Sequence, residues 1–405
     1  MIMGNIDKLA ILGGEPVRPP EIKWHSWPVF DEQERTAVLE VLESGKWFYG
    51  EKVKKFEEEY ATFQGAKYCV SCNSGTTGLE VALQAIDIKP GDEVIVPPYT
   101  FIATASAVVR MGGVPIFVDV DESWCIDPDL IEKAITPRTR AIIPVHFAGY
   151  ICDMDKINAI AQRHNLIVIE DACHSWGGRW EGKGAGTLGL GGVFSFQMSK
   201  NITAGEGGAI VTDNEDFADV CRSITNCGRS KTGPWYYHER IGTNVRMNEF
   251  TANILLAQLT RAENQLQVRE ANGVYLTTAL KEIPGIYPQP LSNRVTRRAF
   301  HLLCIRLKEE EIGCSREPFI KAVQAEGLPL TAGYPYPIYK QPAFQNAAFY
   351  DYSQTCCPVA EDLCYKSGAW LPHHILLGKE KDMEDLVKII RKVQEHALEL
   401  KNLEI

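Results

Sequence analysis

From about Lys67 to Asp213, short apolar runs alternate with segments whose apolar residues recur at helical spacing. The runs are KYCVSC, EVIVPP, VPIFVDV, AIIPVHF, LIVIEDAC, VFSFQ and GAIVTD, and several are apolar at successive positions rather than at every second one. A strand apolar on both sides must be covered on both sides, which is how the strands of a parallel sheet flanked by helices read. Between the runs, GTTGLEVALQAI, TFIATASAVVRMG and DMDKINAIAQRHN carry apolar residues three or four apart, as amphipathic helices do. The pattern predicts an α/β unit built on a mostly parallel seven-stranded sheet. Ahead of it, FDEQERTAVLEVLESG reads as a helix that Asp31 and Glu34 cap reciprocally and Gly45 closes.

Beyond Asp213 the character changes. Met247 to Ile283 forms one long helical pattern that stops at Pro284, the bridge into a second unit. That unit mixes the strand candidate RAFHLLCIRL with the helices REPFIKAVQAEG and KDMEDLVKIIRKVQEHALEL, so it reads as a smaller α+β domain. The expected division puts residues 1–262 in the large domain, with an N-terminal arm over 1–30, and residues 263–405 in the small one.

Composition narrows the function. At 405 residues, 45% hydrophobic and 23% charged, the chain can bury more than one core. A net charge of −10 argues against a surface that gathers nucleic-acid phosphates or anionic lipid, because such surfaces need clustered Lys and Arg. No uncharged apolar run approaches the ~18 residues of a membrane span, and the start, MIMGNIDKLAILGG, lacks a basic segment followed by a long apolar one. A cytoplasmic protein is expected, with neither nucleic acid nor membrane as partner. Its 12 cysteines are scattered through a long chain and read as reduced thiols. Cys69 and Cys72 have CxxC spacing but no second ligand pair at matching distance, so no metal is expected. Gly177 to Gly184, GGRWEGKG, nearly matches a nucleotide-hydrolase phosphate loop, yet Gly184 stands where a magnesium-binding hydroxyl is needed.

Four features fall where ligands of an open α/β sheet bind, beyond the carboxyl ends of strands. In CNSGTTGLEVAL, Ser74, Gly75, Thr76 and Thr77 join a strand to a helix, an arrangement that suits either an anion or a plain helix cap. In LIVIEDACHSWGG, Asp171 ends a buried strand and needs a cationic or hydrogen-bonding partner, whether a following helix or a protonated pyridine nitrogen. His174 could then meet another edge of the same ring, or be a satisfied half-buried histidine. Phe101, in PPYTFIATA, could cover a flat ring or pack in the core. In GVFSFQMSKNITAGEGGAIVTD, Ser195 offers a further phosphate contact and Lys200 stands just before a glycine cluster. An anion-binding turn, a strand-end acid, an aromatic plate and a lysine together describe a pyridoxal phosphate site, with Lys200 as the Schiff-base nucleophile and Asp171 on the ring nitrogen.

The motifs NSGTTGLEVAL, PPYTFIATA, IPVHFAG, IEDACHSWGG, FSFQMSKNITAGEGGAIVTD and NVRMNEFTANILLAQL, in that order, closely resemble those of the DegT/StrS-type sugar aminotransferases, of pyridoxal phosphate fold type I. The resemblance implies Lys200 as the cofactor lysine, Asp171 at the pyridine nitrogen, His174 near the ring hydroxyl and Phe101 stacked on the ring. It also implies Gly75, Thr76, Thr77 and Ser195 at the phosphate, and a homodimer in which Asn244 reaches the partner's phosphate. Many relatives have glutamine where this chain has His174. Relatives with histidine in place of the lysine are dehydratases, and this chain retains Lys200. NCGR, AGYPYPIY and LPHHILLG look most like the branch that aminates keto-cyclitols, such as the glutamine:scyllo-inosose aminotransferases. The expected reaction moves an amino group from L-glutamine or L-glutamate to the keto group of a cyclitol or sugar. A 3-amino-5-hydroxybenzoate synthase-like dehydratase, a nucleotide-ketosugar aminotransferase and a cofactor-binding regulatory protein are the alternatives. Arg229, His301, Tyr334 and Tyr336 are candidate substrate contacts.

Overall fold

The computed structural model describes residues 8–401. Seven strands build the central sheet: β1 Tyr68–Cys72, β2 Glu93–Val96, β3 Val114–Phe117, β4 Thr139–Ile142, β5 Ile167–Asp171, β6 Gly191–Ser195 and β7 Gly208–Thr212. Their order is β1-β7-β6-β5-β4-β2-β3. All seven coincide with the apolar runs. Six run parallel, and β7 alone is antiparallel to both neighbours, β1 and β6. Every residue of β2, β6 and β7 is buried, as strands covered on both faces must be.

Helices α1 Glu32–Ser44 and α2 Glu51–Gln64 precede the sheet. The expected cap of α1 is present: Asp31 accepts from the backbone of Gln33, Glu34 reciprocates at 2.9 Å, and Gly45 closes the helix in the left-handed conformation. Helix α3, Gly75–Ala85, follows β1, α4, Ala103–Arg110, follows β2, and α5, Met154–His164, lies between β4 and β5. Helix α6, Glu215–Thr225, leads from β7 toward the 33-residue α7, Glu249–Lys281. The side chain of Asn248 caps α7.

Two apolar cores form. The larger surrounds the seven-stranded sheet, and the smaller surrounds an antiparallel sheet of β8 Ile286–Pro288, β9 Leu302–Leu307 and β10 Gly368–Pro372, with helices α8 Arg316–Ala325 and α9 Glu380–Glu395. Helix α7 serves both: Leu255 and Ala262 pack in the first, Leu276 and Leu280 in the second. Two stretches cross the expected division at residue 262. The arm packs on the smaller unit, because Leu9 enters its core, Glu326 accepts from the backbone of Ala10 and Val17, and Arg18 pairs with Asp382 at 2.7 Å. Among the described residues of the arm, only those from Trp27 onward bond to the larger unit, through Met198 and Gln258. Residues 1–7 of the arm and residues 402–405 lie outside the described residues. Conversely, Ile338, Phe344, Tyr352 and Leu363 join the larger core, where Tyr352 Oη donates to Pro115 and Asp119 accepts from the backbone of Val359 and Ala360.

The GGRWEGKG segment is a two-stranded ribbon, Arg179–Trp180 against Lys183–Gly184, turned through left-handed Glu181 and Gly182. Cys69 and Cys72 lie three apart on β1, so their side chains alternate to opposite faces and cannot clasp one ion. Among the described residues no helix is long and apolar enough to cross a membrane.

Candidate active site

The carboxyl ends of β1, β2, β5 and β6 open on one cavity of about 480 Å³. Asp171 is the last residue of β5 and Ser195 the last of β6. Gly75 begins α3, and Phe101 stands just before α4. Strand ends point their final side chains past the hydrogen-bonded sheet, so residues far apart in sequence share one hollow.

Lys200 enters from the connection between β6 and β7. Gln197 sets this turn: its carbonyl takes the backbone N–H of Lys200 at 2.9 Å, and its side chain takes both the N–H and the hydroxyl of Ser199. Thr203 closes the far side by donating to Phe196 O and accepting from the backbone of Gly205. The ammonium of Lys200 lies 5.9 Å from the centre of the buried Trp176 ring. Burial pushes its pKa below the ordinary lysine range, with nearby Cys173 and Asp171 opposing the shift.

Asp171 is 5% exposed. One carboxylate oxygen accepts from the Thr104 hydroxyl at 2.7 Å and the other from the backbone of Cys173 at 3.2 Å. His174 is buried; its Nδ1 accepts from the backbone N–H of Ala148 at 3.3 Å, which places its proton on Nε2. Burial holds it neutral, its pKa well below the usual histidine value, and the Lys200 ammonium adds to the effect. The ring of His301 lies 4.2 Å from that of His174, and its Nδ1 pairs with Asn201 at 2.9 Å.

The cavity also meets the start of α3. Ser74 caps the helix by accepting from the backbone of Thr77, so the remaining first-turn N–H groups, on Gly75 and Thr76, are those a bound anion would meet. A Cβ at Gly75 would lie 2.9 Å from both Cys173 Sγ and Ser195 Cβ, so this close approach admits only glycine without movement. Phe101 is 57% exposed, its ring lining the cavity.

Of the residues singled out in the sequence, Gly75, Thr76, Phe101, Asp171, His174, Ser195 and Lys200 line this one cavity. Thr77 does not: its hydroxyl is engaged by Asn73 and Ser74, and it shapes the helix start. Asn244 is exposed and bridges to Asn226, apart from the cavity. Arg229 is spent on Trp235 and Asn226, and Tyr336 is exposed. Tyr334 packs edge-on against Trp370. Thr100, Cys173, Gln197 and Glu206 line the cavity without having been expected there. Thr100 and Cys173 adjoin the recognised Phe101 and His174; for Gln197 and Glu206 the sequence holds no signal beyond lying near Lys200.

Residues 28–392 match the model of the DegT/DnrJ/EryC1/StrS aminotransferase family. The chain belongs to that family. It is therefore a pyridoxal-phosphate-dependent aminotransferase. Within the DegT family, it is 37% identical over 380 residues to the 3-amino-5-hydroxybenzoate synthase of Amycolatopsis mediterranei strain S699, covering 90% of this chain and 96% of that one. It is 36% identical over 420 residues to the L-glutamine:2-deoxy-scyllo-inosose aminotransferase of Micromonospora echinospora, covering 97% and 99%. A crystal structure of 3-amino-5-hydroxybenzoic acid synthase superposes with a TM-score of 0.85 at 34% identity, covering 92% of this chain and 99% of that one.

Proposed function

We propose that this DegT-family enzyme carries pyridoxal phosphate on Lys200 and moves an amino group from L-glutamine or L-glutamate to the keto group of a cyclitol such as scyllo-inosose. The observation that carries the reading is the meeting of a desolvated lysine amine and a buried carboxylate, Asp171, in one cavity beside a glycine-opened helix N-terminus. Those groups fit the cofactor: an amine for its aldehyde, an acid for its ring nitrogen, and N–H groups with the Ser195 hydroxyl for its phosphate.

When bound, pyridoxal phosphate supplies a carbonyl carbon that takes the amino group and a ring that accepts the electrons of a breaking C–H bond. Lys200 Nζ would take the α-proton of the amino donor and later return a proton, a role its lowered pKa favours. With the cofactor in place, Asp171 would hold a positive charge on the ring nitrogen, His174 Nε2–H would be free to donate to the ring hydroxyl, and Phe101 would cover one face. The names of the glutamine:scyllo-inosose relatives support the donor and the acceptor class.

The 37% identity to a 3-amino-5-hydroxybenzoate synthase favours a second reading, dehydration with aromatisation on the same cofactor. Incubation with glutamine and, in turn, scyllo-inosose, 2-deoxy-scyllo-inosose and a nucleotide-linked ketosugar separates them. An amino-cyclitol product supports the first reading, and an unsaturated product with no amine sinks it. A second copy of the chain completes the proposal. An apolar groove of about 610 Å³ lined by Pro28, Phe30, Val38, Leu39, Met198 and Ile254 adjoins the Lys200 turn, with Phe30 61% exposed. A homodimer would cover it and could bring the partner's Asn244 to the phosphate end.

A further inference from the structure

We propose that Thr104, backed by Thr100, is a positioning residue for Asp171: a chain of two hydroxyls sets the direction in which the carboxylate meets its ligand. The inference rests on the reading of Lys200 and Asp171 given above.

An ionised carboxylate has only acceptor sites, so the 2.7 Å contact requires Thr104 to donate its single hydroxyl proton to Asp171. Its oxygen is then left to accept, and the Thr100 hydroxyl, 3.1 Å away, must be the donor. The chain therefore has one direction, Thr100 to Thr104 to Asp171, and each bond polarises the next. Both threonines are buried, Thr104 completely and Thr100 to 5% exposure. A threonine in a helix readily turns its hydroxyl back onto a carbonyl of the preceding turn. Thr104, in the first turn of α4, instead gives its hydroxyl to the acid, and Thr100, in the loop before the helix, gives its own to Thr104.

The second oxygen of Asp171 is held by the backbone of Cys173 at 3.2 Å. With one donor on each oxygen, from two separate elements, the carboxylate cannot rotate freely, and its remaining lone pairs are the ones open to the cavity that Asp171 lines. The same five residues, 100–104, also carry Phe101, the aromatic wall of that cavity. One short segment thus fixes the aromatic wall and the acid relative to each other.

The test compares wild type, Thr104→Val, Thr104→Ser and Thr100→Val, each reconstituted with pyridoxal phosphate. For Thr104→Val, kcat falls about tenfold with the amino-donor KM within about twofold, the effect of losing one hydrogen bond to a charged group. The pH midpoint of the visible absorption band moves by about half a unit or more, and Thr104→Ser restores both. Thr100→Val moves both in the same direction by less. A Thr104→Val protein that melts earlier but keeps the wild-type midpoint and kcat overturns the proposal. Should Thr104→Val not fold, Thr100→Val decides, and an unmoved midpoint there overturns it equally. A wild-type protein that forms no visible band removes the reading of the cavity itself; a normal wild-type band with unresponsive variants removes only the role of Thr104.

Discussion

Lys200 and His174 share a cavity, and burial lowers the pKa of each to a different end. Desolvation lowers the pKa of Lys200, so its amine is free at a lower pH than that of an exposed lysine. The rate of cofactor attachment, followed by absorbance, will rise with pH through a midpoint below the ordinary lysine value of about 10.4. A midpoint at or above that value contradicts the role of burial. His174 is neutral throughout the physiological range and contributes a single Nε2 donor. Glutamine offers an amide N–H at similar reach, so His174→Gln will keep kcat within about tenfold of wild type, whereas His174→Leu will lose more than that. Because the histidine does not titrate near neutrality, the pH profile of the glutamine variant between about 6 and 8 will keep its shape. An acidic limb that vanishes with the substitution would show that His174 carries charge after all.

At the scale of elements, the start of α3 and the β6–β7 connection both wall the cavity. Gly75 permits the first, and a methyl there meets Cys173 and Ser195 at 2.9 Å. Gly75→Ala will raise the dissociation constant for pyridoxal phosphate about tenfold or more in equilibrium dialysis; unchanged affinity would remove α3 from the phosphate site. The seven strands and α1 were legible in the sequence because burial on both faces leaves unbroken apolar runs, and because Asp31, Glu34 and Gly45 stand at fixed cap positions. The reversal of β7 was not, since apolar runs carry no direction. The three-residue β8 is too short to show a period, and the left-handed turn at Glu181 and Gly182 makes GGRWEGKG a ribbon despite its glycine spacing. Seven of the nine candidate site residues line the cavity, because strand-end acids and glycine-rich helix starts are local signals. Thr104 escaped notice: its partner lies 67 positions away, and a threonine in an apolar helix looks like packing.

On the scale of the whole molecule, three histidines crowd the junction of the two cores. His301 stacks between His174 and His373, at 4.2 and 5.6 Å. Burial holds all three well below the usual histidine pKa. In the unfolded chain they titrate near 6.5, so below that pH the unfolded state binds protons that the folded state refuses, and stability falls as pH falls. Each histidine contributes up to about 1.4 kcal/mol per unit of pH in that window. Melting of the cofactor-free protein will therefore show a steep loss between about pH 6.5 and 5, above the range where carboxylates titrate; a flat melting temperature across it would mean that these rings are not buried neutral. The exposed apolar groove at Phe30 and Met198 predicts a dimer by light scattering, and Met198→Asp will yield monomer with weakened cofactor retention. The central claim is that Lys200 holds pyridoxal phosphate covalently, and borohydride reduction followed by peptide mass analysis tests it most directly. The account predicts the mass of one pyridoxyl phosphate group on the peptide containing Lys200, absent from Lys200→Ala, which also loses transamination while keeping part of its affinity for the cofactor. Reduced protein that carries no added mass there, or turnover of Lys200→Ala at the wild-type rate, would contradict it.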